Sequence, residues 1–554
     1  MTKATHATRA SIFLFLVGLY LLAFSILCSL LKPEPSLYWH GQPWFAHTDH
    51  WHVFLQVDSF FSSLFTPQSS LTVFSRLPSL FPDILSAAFI QNLFHPVLSL
   101  KSLRSLLVLN ILLIFTSITI FSYILTRKWS NSLAVTLISL FLLYKLLPSS
   151  LYIYIPIHHG GNVINTLIAF SLFSSLTLAL ICARRASGAI TFGLLIPFLL
   201  IGAISNRLFL FSAVLPILVH LCWLSNTEVP IFRQWRTSFI LVCTLVLCLT
   251  LITHLPLTQG RDELLITPTT ILPQLSHILL HNEVLSILAI LVLANFFLYF
   301  CSNSLMTHLT TSKNYLMSQT FKLINLSSLF TVSASFVISI ANDNYDITRY
   351  LFAPLALEGV LFSILLFQII TIVFDSKAPF LHICLTTLII VLLSSSCQPI
   401  NSPLFSAELL SNEIEILETI KNDPPVNSFG LATSPPWHAT ALSAISGSLF
   451  TIREASTDGN PLFWHLWKGA YVNSTGYSRL ATGQNLTSAD ILPFSFVLTG
   501  PEESTSIQSF FGKPDRSLYC KSQGYHCLHY YNNSVTIREN TATFINTYGS
   551  RPKT

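Results

Sequence analysis

Apolar stretches of about 20 residues recur along this chain, each long enough to cross the hydrocarbon core of a bilayer as a helix. About eleven can be read, near residues 11–31, 104–126, 131–148, 161–183, 188–204, 208–225, 237–256, 285–303, 324–341, 350–373 and 379–396. Lipid offers no partner for a bare N–H or C=O, so such stretches must close their hydrogen bonds internally as helices. Composition agrees: charged residues make up 10%, against about 25% in soluble domains. A soluble enzyme, a disordered chain and a basic nucleic-acid-binding domain are excluded as classes, and nucleic acid is not an expected partner. The expected fold is an α-helical polytopic membrane protein with about eleven transmembrane helices.

Charge placement orients the spans. With the N-terminus cytoplasmic, the inside segments hold Lys3 and Arg9, Arg127 and Lys128, Arg184 and Arg185, Arg233 and Arg236, Lys313 and Lys322, and Lys377. Each short inside loop carries a positive residue, as the positive-inside rule requires, and the loop near 149–160 carries neither Lys nor Arg. The first apolar run has no clear small-x-small cleavage site after it and reads as a signal anchor. The expected domains are a transmembrane part, 1–397, with a long outside loop at 32–103, and an extracytoplasmic tail, 398–554.

The outside loop carries the candidate chemistry. Apolar residues at Val53, Phe54, Val57, Phe60, Phe61 and Leu64 keep helical spacing, which suits a helix lying in the membrane interface. A second short helix is expected through 82–95. Carboxylates next to a membrane can be general bases, metal ligands or ordinary solvated residues, and Asp49 is the strongest candidate for chemistry. Asp58, nine residues on, falls about half a turn out of phase on a continuous helix. Asp83 follows Pro82 and reads equally as a helix N-cap or first-turn residue. His47, Asp49, His50 and His52 form a candidate cluster for a divalent metal ion, the one cofactor indicated. The spacing spreads them around a helix, and polar groups at a wet interface are the plainer reading.

Further charges lie at the same side. His158 and His159 precede Gly160 and Gly161 at one turn. Arg207, after Ser205 and Asn206, either snorkels or pairs with an anion. Arg349 opens an apolar span, and its fork matches phosphate oxygens or pairs locally with Asp343 or Asp346. Arg76 is a weaker phosphate candidate, as is Arg261, and Lys145 is expected to snorkel.

The tail mixes helical and strand-like runs and reads as a small α/β domain. A helix is expected over 408–421, a strand over 495–498, and a short helix over 506–511 closed by Gly512 and Pro514. Cys520 and Cys527 lie close together in a polar hairpin-like segment, and an oxidising compartment would join them as a disulfide. Closing so short a loop contributes about 2–3 kcal/mol in the chain-entropy model. Trp437, His438, Asp458, Trp464, His465, Trp467 and Lys468 suit either a glycan site or the packed underside of the tail. Asn473, Asn485 and Asn532 begin N-x-S/T triplets.

Four segments carry a family likeness: Asp49 with Asp58; Ser75-Arg76-Leu77-Pro78-Ser79-Leu80-Phe81-Pro82-Asp83; Ser205-Asn206-Arg207-Leu208-Phe209; and Arg349-Tyr350-Leu351-Phe352-Ala353-Pro354. Over residues 1–397 the arrangement resembles the GT-C membrane glycosyltransferases, which include protein mannosyltransferases and lipid A aminoarabinose transferases. The resemblance implies a polyprenyl-phosphate sugar donor and a cell-envelope glycan, lipid or protein as acceptor, at the outer face of a bacterial inner membrane. It implies Asp49 as base, with Arg349 and Arg207 on the leaving phosphate. Two rival readings remain open: a transporter or flippase of lipid-linked saccharide, for which Glu358 inside the tenth span is the fitting acid, and a non-catalytic envelope assembly factor.

Overall fold

The computed structural model describes residues 13, 15–27, 53–54, 57, 80–94, 100–146, 153–154, 160–182, 184–224, 244–245, 282–308, 312–342, 348–373, 411–433, 438–446, 449–456, 459–461, 471–499, 504–519, 527–532 and 535–548. Among them, four helical segments are long and apolar enough to cross a membrane: Ser102–Thr126, Gly160–Ile181, Ala186–Ala203 and Tyr315–Val337. Shorter apolar helices accompany them. The chain is therefore read as a helical membrane protein.

In chain order the helices of this part are α1 (Phe15–Leu27), α2 (Leu85–Phe94), α3 (Leu100–Thr126), α4 (Trp129–Leu146), α5 (Gly160–Ile181), α6 (Arg185–Ser205), α7 (Leu215–Leu224), α8 (Asn282–His308), α9 (Ser312–Asn342) and α10 (Phe352–Val373). Except for α2, which meets the short helix expected through 82–95, they fall on nine of the eleven expected stretches; those at 237–256 and 379–396 lie essentially outside the described residues. The fifth and sixth stretches are separate helices. The chain breaks at Asn206, whose extended backbone ends α6, and short turns at Arg207–Phe209 and Leu210–Val214 lead into α7. Helix α5 lies at the centre, packed against α3, α6, α9 and α10.

Serine and threonine are frequent in these helices, and the structure shows how their hydroxyls are satisfied. Ser117, Thr119, Thr136, Ser139, Ser171, Thr177, Thr320, Ser335 and Ser363 each donate to the carbonyl four residues back. The hydroxyl is satisfied within its own helix, so no cost of a bare buried donor arises. Ser132 instead donates to the Thr119 carbonyl at 2.6 Å and ties α4 to α3.

Of the expected interfacial helix, Val53, Phe54 and Val57 are helical and buried in the main apolar core. Lys145 ends α4 exposed, its ammonium 5.0 Å from the Tyr144 ring centroid.

The tail is a five-stranded mixed sheet, β1 (Phe429–Ala432), β2 (Thr451–Glu454), β3 (Phe496–Thr499), β4 (Arg516–Tyr519) and β5 (Cys527–Tyr530), in the order β2-β1-β3-β5-β4. The first three are parallel, β5 runs antiparallel to β3, and β4 runs antiparallel to β5. Its helices are α11 (Ser411–Asn422), α12 (His438–Ile445), α13 (Ser474–Ala481), α14 (Ser504–Phe511) and α15 (Val535–Tyr548). Strand alternation feeds two cores. Ala432, Phe496 and Leu498 meet Ile416 and Leu442 on one face, and Leu431 and Val497 meet Ile537 and Ile545 on the other. Gly430 lies under the Phe496 ring, where any Cβ would collide.

Most expectations for the tail agree in type. The strand and both helices are present, and Gly512 ends α14 at φ +84°, a conformation glycine adopts freely. The hairpin is present, with Tyr519 opposite Cys527; Cys520 lies outside the described residues. The Asn473 side chain is committed to structure: it accepts from the Gly476 N–H at 3.0 Å and donates to the Ala489 carbonyl at 2.7 Å, capping α13.

On β5, His529 is buried between Ser517 Oγ, 2.7 Å from Nδ1, and Thr499 Oγ1, 3.1 Å from Nε2. Burial holds the imidazole below its ordinary value of 6.5, so the unfolded chain binds the proton more readily. This stability is present above pH 6.5 and is lost as pH falls through the lower, folded-state value. Protection factors of the β5 amides in the whole protein, which remove the intrinsic slowing of exchange with acid, should fall as pH drops from about 7.5 to about 5.5. In His529→Gln the profile should be flat; an unchanged slope in that variant would contradict the assignment.

Candidate functional site

Around the first described turn, Leu80–Ile84, the chain reaches the bundle in an extended step at Phe81 (φ −126°, ψ 133°). Both backbone groups of Phe81 are met by distant helices. Its N–H donates to Ser205 Oγ at 3.0 Å, at the end of α6, and its carbonyl accepts from Asn165 Nδ2 at 3.0 Å, on α5. Ser205 in turn donates to the Ile201 carbonyl. These bonds pin Pro82 and Asp83 over the start of α5.

Asp83 is 5% exposed. A Cβ built on Gly161 would lie 3.0 Å from Asp83 Oδ2 and 3.1 Å from Pro82 Cδ. The absence of a side chain at 161 therefore lets the carboxylate approach the first turn of α5. Unpaired N–H groups and the positive end of the helix dipole favour an anion there. Gly160 has a matching role: its missing Cβ leaves room for the Ile153 carbonyl and for Asn110 Nδ2, which donates to the Tyr154 carbonyl at 2.8 Å.

A buried polar seam continues inward. Ser212 Oγ lies 3.1 Å from Asn162 Oδ1 and 2.8 Å from Thr166 Oγ1, and the Ser212 carbonyl accepts from Ser327 Oγ at 2.6 Å. Asn206 Oδ1 accepts from the Leu208 N–H at 2.9 Å, turning the chain at Arg207. The seam joins the Ser205-Asn206-Arg207 segment to Asp83, as two of the singled-out motifs.

The third motif lies at the same end. Helix α9 runs against α7, with the Lys322 ammonium 4.0 Å from the Trp223 ring centroid near the end of α7. Five residues later, Ser327 reaches Ser212 near its start. Helix α9 thus ends toward Asp83, and the Thr348–Leu351 turn carrying Arg349 packs against it. The backbones of Arg207 and Arg349 are described and their side chains are not. His47, Asp49, His50, His52, Asp58, Arg76, His158 and His159 lie outside the described residues, as do Trp437, Asp458, Trp464, His465, Trp467 and Lys468. Among the described residues no group of three or more His, Cys, Asp or Glu could hold a metal ion.

Two polar clusters of the membrane part were missed as clusters, although Glu358 of the second stood out in the sequence. One is the seam itself, signalled only by Asn110, Asn162 and Asn165 inside apolar stretches, where an amide is expensive unless bonded. The other lies in the spans α8, α9 and α10. Asn295 Nδ2 donates to Glu358 Oε1 at 2.7 Å and lies 3.3 Å from Ser328 Oγ. In the tail, Glu454 accepts from Thr440 Oγ1 at 3.0 Å, and its carbonyl accepts from the Tyr471 hydroxyl at 2.6 Å. Burial pulls the adjacent Arg453 guanidinium down to about 10, against the opposing pull of Tyr471 and Glu454. It stays charged near pH 7.

No protein-family model matches the chain, and no curated protein matches it.

Proposed function

We propose that the chain is a GT-C-type glycosyltransferase with about eleven spans, moving a sugar from a polyprenyl-phosphate donor to a cell-envelope acceptor at the extracytoplasmic face. The observation that carries this reading is Asp83, a buried carboxylate held against the start of α5 beside the Ser205-Asn206-Arg207 junction. Ionisable groups gathered at one end of a bundle suit chemistry on a lipid-linked substrate whose reacting atoms lie at the membrane surface.

In this reading a carboxylate of the first outside loop, Asp49, takes the proton of the acceptor hydroxyl as general base. The hydroxyl oxygen bonds to the anomeric carbon as the bond from that carbon to the phosphate oxygen breaks. The electron pair leaves on polyprenyl phosphate, whose charge Arg349 and Arg207 stabilise. Asp83 is the second carboxylate of the site. The tail, with its disulfide between Cys520 and Cys527, stands outside and meets the acceptor.

A deletion strain complemented with wild type should regain the missing envelope glycan, and complementation with Asp49→Asn at equal membrane expression should not. Full restoration by Asp49→Asn would remove Asp49 as the base. The transporter reading has one observation in its favour, the Glu358–Asn295 pair within the spans. It predicts instead that lipid-linked saccharide accumulates on the cytoplasmic side.

A further inference from the structure

Two cations at the end of the bundle opposite Asp83 have no acid to balance them. Asn110 of α3 meets Gly160 at the start of α5, so α3 ends, at Thr126, on the side of the membrane part away from Asp83. Arg127 and Lys128 follow as the turn into α4, and both are exposed. Neither makes an ion pair among the described residues, and residues 100–224 contain neither Asp nor Glu. Adjacent like charges without a counter-charge leave a positive potential that draws an anion.

The turn is built to hold those side chains outward. Arg127 has φ 60°, a left-handed conformation unfavourable for a residue with a Cβ, and among the described residues no other non-glycine residue has a positive φ. Its N–H donates to the Tyr123 carbonyl at 2.8 Å, and the Ser132 N–H donates to the Lys128 carbonyl at 3.0 Å. Trp129, 57% exposed, stacks on Tyr123 with ring centroids 4.1 Å apart; such amphipathic rings sit at the level of lipid headgroups. Along α3, Val108, Leu112, Thr116 and Ile120 are exposed at four-residue spacing and form one ridge leading to this turn. From Val108 to Ile120 the ridge rises about 18 Å, more than the roughly 15 Å of hydrocarbon in one leaflet.

We infer that the α3–α4 turn binds an anionic phospholipid, its phosphate on Arg127 and Lys128 and an acyl chain along the ridge from Val108 to Ile120. The Arg127 fork matches phosphate oxygens. An apolar ridge ending at two cations favours an amphiphile over free phosphate. The missing acid favours an anionic headgroup over a zwitterionic one, whose ammonium the two cations repel. The inference stands apart from the glycosyltransferase reading, because the turn lies at the other end of the bundle and uses none of the residues assigned to transfer.

The whole protein in phosphatidylcholine nanodiscs would be photolabelled with a trace of phosphatidylglycerol, or of phosphatidylcholine, bearing a diazirine in the acyl chain, followed by peptide mapping. Phosphatidylglycerol should label residues 108–129 about fivefold or more above phosphatidylcholine, the scale of one basic residue at an anionic surface. Arg127→Gly together with Lys128→Gln should bring the two lipids level; glycine adopts a positive φ freely, so the turn is kept. Inorganic phosphate at matched ionic strength should leave the wild-type preference unchanged. Equal labelling by the two lipids in wild type, a preference that survives the double substitution, or one abolished by inorganic phosphate would overturn the assignment.

Discussion

Asp83→Asn should lower the proposed sugar transfer about 100-fold or more, the scale of a lost catalytic carboxylate, while leaving the protein in the membrane at close to wild-type amount. The two parts of this expectation separate charge from architecture. Asparagine keeps the shape of the side chain and one acceptor oxygen, so it can still face the first turn of α5 beside Gly161. The bonds that hold the segment, from the Phe81 N–H to Ser205 and from Asn165 to the Phe81 carbonyl, are untouched. What disappears is the negative charge. Asp83→Ala removes the acceptor as well and should lower both transfer and membrane level. Transfer would be followed with isolated membranes and expression by immunoblot. If Asp83→Asn transfers normally while Asp83→Ala fails, the carboxylate serves α5 as an anchor and takes no part in chemistry.

Gly160→Ala should be the most damaging small substitution in the membrane part. The added methyl would run into the main-chain carbonyl of Ile153 and come within 2.9 Å of Asn110 Nδ2. A backbone carbonyl cannot rotate away as a side chain can, so the start of α5 must move. Movement breaks the Asn110 bond to the Tyr154 carbonyl and draws Gly161 away from Asp83. Overpacking together with an unpaired buried amide costs about 3 kcal/mol. Gly188→Ala is the matched control: it lies within α6, and its Cβ would make only ordinary contacts at 3.6 and 3.9 Å. That change should be neutral or stabilise by up to about 1 kcal/mol. Thermal aggregation midpoints of the two variants in detergent would decide, and equal midpoints would refute the steric account.

Much of the architecture was legible before the structure. Nine of the expected apolar stretches contain helices because in lipid a helix is the local solution for a single apolar segment. The tail was legible for a different reason. Short apolar strands, a glycine–proline stop after Phe511 and a polar hairpin before Leu528 are local signals, read within a few residues. The candidate site was legible only in its parts. Asp83, Arg207 and Arg349 stood out as charges beside apolar runs, and nothing in their spacing joined them.

The sequence by itself determined that the chain carries apolar helices suited to a membrane, where most of them fall and which charges interrupt them, since hydropathy and length act within one segment. Only the tertiary structure decided that the Phe81 backbone is held by Ser205, 124 positions away, and that Asn295 meets Glu358, 63 positions away. Helices apolar on most sides carry little amphipathic signal to say which face meets which neighbour. Between such helices the pairing is set by close packing and by the few polar groups that lipid cannot satisfy. Those groups find their partners across the whole length of the chain.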